Sequence, residues 1–195
     1  VDELKDPYLD EPRERQELTD LVREIMLEWP QTHGYYILNG KADPEEFGLP
    51  AVEPHEGWST IFPKKRILYI TGMRLWAEPA IYALISHEIG HIVGEHNGGE
   101  SEIELENHLD EYYADEFAFE NVKQKYGFVP QTAGLWLLQS YVDWRWDIDS
   151  LTHPANVNRW ERLSLNGYVP RDYHQQLQAL GLETEGDRYA SLRPD

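Results

Sequence analysis

His87-Glu88-Ile89-Gly90-His91 places two imidazoles and a carboxylate within five residues, and Glu111 and Asp115 follow twenty and twenty-four residues beyond His91. On a helix, residues four apart stand on one face, so His87 and His91 can aim at a single ion while Glu88 sits beside its open side. Two imidazoles alone do not make a catalytic site. Open zinc sites use three protein ligands and leave the fourth position to water, and His, His, Glu is one of the recurring sets. Glu111 is the natural third ligand. Asp115, one helical turn further on, can reach the free ring nitrogen of a ligating histidine, His87 in preference to His91, and fix that ring's tautomer and orientation. The chemistry such a set supports is hydrolysis by zinc-activated water with Glu88 as general base. The same donors would accept cobalt or manganese.

The pentapeptide lies in Ala80-Ile-Tyr-Ala-Leu-Ile-Ser-His-Glu-Ile-Gly-His-Ile-Val93, where apolar positions 81, 84, 85, 89, 92 and 93 fit a helix packed against a core. Asn97-Gly98-Gly99 marks its end.

Three stretches resemble the gluzincins, zinc peptidases in which a glutamate on a second helix completes the site, and are most similar to the HtpX and CAAX-prenyl-protease type. They are His87-Glu-Ile-Gly-His91, Glu111-Tyr-Tyr-Ala-Asp-Glu-Phe-Ala118 and Thr152-His-Pro-Ala-Asn-Val-Asn-Arg159. The resemblance implies a zinc metalloendopeptidase holding one Zn2+ through His87, His91 and Glu111, with Glu88 as base and a peptide or protein as substrate. It also implies a place for His153 at the open side of the metal, either stabilising an oxyanion or taking the fourth coordination position. From the residues alone, His153 is equally a helix-entry histidine beside Pro154. Arg159 either pairs with an acid near the site or caps a surface. Substrate in such enzymes lies along an edge strand as an added strand, and Arg66-Ile67-Leu68-Tyr69-Ile70-Thr71 is the candidate, with a plain sheet strand as the alternative.

The positioning elements follow from periodicity. An amphipathic helix is expected near 11–28, then a small sheet across 35–71 with strands at 35–39, 58–62 and 66–71. Two zinc helices are expected near 78–96 and 102–125, a further helix over 130–146, and shorter ones over 154–165 and 170–180. The fold class is α+β: one mainly helical, zincin-type metallopeptidase domain over 1–195, with a small mixed sheet whose edge strand lies beside the zinc helix. The first ten and last ten residues are expected to be loosely held.

Thirty-six acids against seventeen bases give a net charge of −19, which argues against nucleic acid and against an anionic membrane surface as direct partners. Four glutamates between Glu100 and Glu106 read as an acidic solvated helix start rather than a rim for basic peptides. The chain has no cysteine, so a thiol nucleophile and zinc thiolates are excluded. No run of about eighteen apolar residues is present. The chain departs in this from the commonly membrane-embedded HtpX group, and a soluble protein without membrane insertion or signal peptide is expected. It begins at Val1 without methionine, which fits removal of a leader, anchor or propeptide, or excision from something longer. Trp144, Trp146 and Trp160 read as core before cleft, and His96 and His108 as pointing away from the ion. Two other classes fit the motifs: a latent or non-catalytic zinc-bound regulatory module on the same scaffold, and a regulatory metallopeptidase of the ImmA and IrrE type.

Overall fold

The computed structural model describes residues 15–40, 44–49, 58–73, 76–96, 103–141, 149–173, 175 and 176. Four α-helices and a three-stranded mixed sheet make an α+β fold. Helix α1 (Arg15–Leu27) buries Leu18, Val22, Ile25 and Met26, a three-and-four spacing that puts one apolar face on the core. Strands β1 (Tyr36–Asn39), β2 (Trp58–Phe62) and β3 (Ile67–Thr71) follow. Then come α2 (Glu78–Val93), α3 (Glu104–Tyr126), a 3-10 helix over Gln131–Tyr141, and α4 (Asn156–Leu165).

The sheet order is β1-β3-β2, with β1 parallel and β2 antiparallel to β3. The segment expected to offer an open edge is therefore the central strand: the backbone of Ile67, Leu68, Tyr69 and Ile70 is paired on both sides. Arg66 precedes the strand, in a left-handed turn at φ 54°. The physical reason is visible in the composition, because all five residues of β3 are buried, and a strand covered on both faces reads as an unbroken apolar run rather than an alternating one. Among the described residues the edges are β1 and β2, and β2 is the one that packs on α2.

Helix α2 is buried without interruption from Ala80 to His91. A helix apolar nearly all round belongs in the interior, and α2 is enclosed by α1, β2, α3 and the 3-10 helix. Its contact with α3 is the most extensive of these. Gly90 permits it: a Cβ there would stand 2.9 Å from Ala114 Cα and 3.3 Å from Ala114 Cβ.

Two elements differ from expectation. α2 ends at Val93, short of residue 96. Residues 131–141 wind as a 3-10 helix rather than as part of an α-helix over 130–146, since apolar spacing over so short a run does not separate three residues per turn from 3.6. Trp160 is core, 1 % exposed, with its indole N–H donated to the Pro170 carbonyl. The expected loose termini, Trp144, Trp146 and residues 174 and 177–180 of the expected helix over 170–180 lie outside the described residues. No helix among the described residues is long and apolar enough to cross a membrane.

Gly90→Ala should force α2 and α3 apart, a clash that costs on the order of 1–3 kcal/mol in a packed core. A urea midpoint unchanged in this variant would contradict the close approach.

Candidate metal centre

His87 and His91 project from the same face of α2, and Glu111 meets them from α3; all three are buried. His87 Nε2 lies 3.1 Å from His91 Nε2. Glu111 Oε2 lies 3.3 Å from His87 Nε2, and Glu111 Oε1 lies 3.3 Å from His91 Nε2. Each imidazole thus faces a different oxygen of the one carboxylate, and one donor atom from each of the three residues can be taken so that all lie within 4.8 Å of one another. The triad therefore has the chemistry and spacing to hold one metal ion. A second observation agrees: Glu111 Oε2 is buried with no hydrogen-bond partner. A buried carboxylate oxygen without a hydrogen bond is costly unless a cation stands close, as the Arg159 guanidinium does at 3.3 Å and as a metal ion held by the triad would.

Charges around the triad are matched from beneath. Asp115 Oδ1 lies 2.9 Å from His87 Nδ1, in a contact too bent to be a straight hydrogen bond. Arg159 of α4 forks onto the same carboxylate, Nε to Oδ2 at 2.8 Å and Nη2 to Oδ1 at 2.6 Å, and its Nη2 also lies 3.3 Å from Glu111 Oε2. Burial works to raise the Asp115 carboxyl, but Arg159 and then His87 hold it below its ordinary value. Burial likewise opposes ionisation of Glu111, yet the surrounding His153, His91 and His87 keep it well below the carboxylate range. Burial would lower His87, and the adjacent Asp115 and Glu111 carboxylates outweigh it, raising the ring to about 9. Trp136 closes the side of this cluster, its ring 4.9 Å from that of His87 and 4.8 Å from the Arg159 guanidinium carbon.

Glu88 is 6 % exposed and accepts a 2.8 Å hydrogen bond at Oε1 from Ser59 Oγ on β2. His153 reaches the site from the loop before α4, with Nε2 3.4 Å from Glu111 Oε1 and Nδ1 2.8 Å from Thr152 Oγ1. It does not join the group in which every donor atom lies within 4.8 Å of every other. Its side chain is 37 % exposed, and burial of its inner part pushes the ring below its ordinary value against the pull of Glu111. The loop carrying it is pinned by backbone carbonyls: Asn107 donates to Leu151 O, and His108 Nε2 lies 2.7 Å from Ser150 O. Asp149 then caps the entry to α4 through the Ala155 N–H.

No family model, curated protein or solved structure matches this chain. Structural statements about the site thus rest on the residues themselves.

The structure brings together His87, His91, Glu88, Glu111, Asp115, His153 and Arg159. It does not bring Arg66, Ile67, Leu68, Tyr69 and Ile70 to an open edge. Ser59, Trp136 and His96 were missed. Ser59 and Trp136 carry no spacing signal, being remote in sequence from the Glu88 and His87 side chains they contact. His96, expected to point away, lies with Nδ1 3.0 Å from His91 Nδ1.

Arg159→Met should leave Asp115 buried without its guanidinium, and breaking a buried ion pair from one side costs about 3–5 kcal/mol. Chemical denaturation of the metal-free variant checks this; a loss under about 1 kcal/mol, the scale of an exposed pair, would contradict the burial described.

Proposed function

We propose that this chain is a zinc-dependent metalloendopeptidase of the gluzincin type, with Glu88 as general base. The observation that carries the reading is a buried His87, His91, Glu111 triad that can offer three donor atoms within 4.8 Å of one another, combined with a buried carboxylate between the two histidines on the same helix. A zinc site that is only structural is closed by four protein ligands and has no use for an adjacent base. Here three donors form the mutual group and the fourth candidate, His153, stays outside it. That supports an open position over the latent, four-ligand alternative.

When bound, the ion supplies Lewis acidity toward a carbonyl and acidifies a coordinated water. Glu88, oriented by Ser59, accepts the proton of the attacking water on its carboxylate and returns it to the departing amine. A proton given by the Thr152 hydroxyl to the hydrogen bond with His153 Nδ1, 2.8 Å away, would leave the imidazole proton on Nε2, where it could be donated to a carbonyl oxygen that gains negative charge. Asp115 holds the His87 ring in the tautomer that leaves Nε2 for the metal. Arg159 holds Asp115.

Substrate fits best along β2. Among the described residues it is an edge strand, it packs on α2, and its Ser59 touches Glu88. An extended peptide pairing with β2 would run its backbone past the base, a mode that depends on main-chain hydrogen bonds and tolerates many side chains.

Glu88→Gln keeps the shape and the Ser59 contact but cannot take a proton. Zinc-loaded wild type should cleave an unfolded protein, and the folded, zinc-loaded variant should be at least about a hundred-fold slower, the lower range for loss of a general base. Equal cleavage by both would sink Glu88 as base. A wild type that binds zinc and cleaves nothing would favour the non-catalytic module. Zinc at about a thousand times its dissociation constant should also stabilise the fold by about 4 kcal/mol, an effect that a chelator reverses.

A further inference from the structure

Helix α2 ends in a turn whose hydrogen bonds are those of a Schellman cap. The His96 N–H donates to the His91 carbonyl at 2.9 Å, and the Glu95 N–H to the Ile92 carbonyl at 3.1 Å. Glu95 takes the left-handed conformation at φ 55° that this cap requires, although it is not glycine. In such caps the side chain after the left-handed residue folds back onto the residue three places before the helix end, and the contact is commonly hydrophobic. In this chain those two residues are His96 and His91, and the contact is a ring-nitrogen pair, Nδ1 to Nδ1 at 3.0 Å. The fold-back has its own space. Gly94 lies under the returning ring, where a Cβ would meet His96 Nε2, Cε1 and Cδ2. Tyr113 of α3 packs edge-on against the other side, centroids 5.1 Å apart. The His96 side chain is 8 % exposed, and its Nε2 faces Asp110 Oδ1 at 3.5 Å.

Two facing ring nitrogens make a hydrogen bond only if one carries the proton and the other does not. His91 aims Nε2 at the donor triad, so as a ligand it carries its proton on Nδ1 and donates there. His96 must then accept on Nδ1 and carry its own proton on Nε2, on the side where Asp110 lies. His87 has Asp115 for this purpose. His91 has no carboxylate at its Nδ1 among the described contacts; it has an imidazole.

We infer that His96 is the positioning residue of the second metal-ligating histidine, fixing the tautomer and ring orientation of His91 through an Nδ1 to Nδ1 hydrogen bond that the α2 cap creates. Asp110 and Tyr113 hold His96 in turn, and Gly94 is the residue that lets its ring lie there. The inference rests on the metal-site reading above, not on turnover.

The test compares zinc affinity, by competition with a chelator of known strength, and the visible spectrum of the Co2+ form in wild type, His96→Phe, His96→Asn and Gly94→Ala. Phe keeps a ring against Tyr113 without the acceptor, whereas Asn places an acceptor oxygen where Nδ1 stands. His96→Phe and Gly94→Ala should bind zinc about 10–100-fold more weakly, the usual loss when the outer partner of a ligand is removed, and should alter the Co2+ spectrum. His96→Asn should recover most of the affinity. Thermal unfolding of the metal-free proteins separates a positioning loss from a folding loss, because the positioning role predicts nearly equal midpoints. Wild-type affinity in His96→Phe overturns the inference and leaves the metal reading standing. Equal weakening in Phe and Asn also overturns it, by assigning the effect to packing. A wild type that binds neither ion overturns both.

Discussion

Asp115 is the carboxylate on which the arrangement of the helices around the site depends. It is 1 % exposed, and a carboxylate so placed has to be neutralised by partners or left protonated. Its partners come from two other helices: His87 from α2 and the forked guanidinium of Arg159 from α4. A bidentate fork fixes angle as well as distance, so α4 has little freedom to slide along α3 without losing one arm. Arg159 also reaches Glu111, one turn before Asp115. The same pair of contacts that joins three helices therefore sets the oxygen and the imidazole that face the metal position.

The remaining support comes from elements that are themselves held rigidly. α2 is buried on nearly every side, and Gly90, within the histidine pentapeptide, brings α3 close enough for Glu111 to reach both imidazoles. β2 supplies Ser59 to the base, and the 3-10 helix supplies Trp136 as an apolar wall. Charge is concentrated where it is compensated: among the described residues three buried acids, one buried arginine and two buried histidines lie together in an otherwise uncharged interior. An ion bound to Glu111 and the imidazoles would add positive charge beside a Glu111 oxygen that makes no hydrogen bond and has the Arg159 guanidinium at 3.3 Å. Site precision of this kind is what packed helices and strands provide better than loops. Only His153 arrives on a loop, and that loop is tied to α3 by Asn107 and His108.

Much of this was legible beforehand. The spacing of His87, His91 and Glu111 located the group that could hold a metal ion, and the apolar periodicities located α1, α2 and α3 to within a few residues of the ends described. The edge strand was misplaced because the run from Ile67 to Thr71 was read for strand preference alone. Its lack of alternation was itself the sign of a central strand, buried on both faces. His96 stays out of the donor group, as expected, but its contact with His91 was not legible, because it lies beyond α2, where a capping turn reverses the chain.

The sequence by itself determined the donor set, because two positions four apart on a helix share a face whatever surrounds them. It determined too that thiolates play no part and that the second acidic helix could supply a ligand and its neighbour's support. Tertiary structure alone decided which strand is open beside α2, which hydroxyl holds Glu88, which cation neutralises Asp115 and which imidazole backs His91. Those choices join residues brought together by sheet order, helix crossing and a capping turn. None of these contacts has a fixed sequence separation, so no local spacing could announce them.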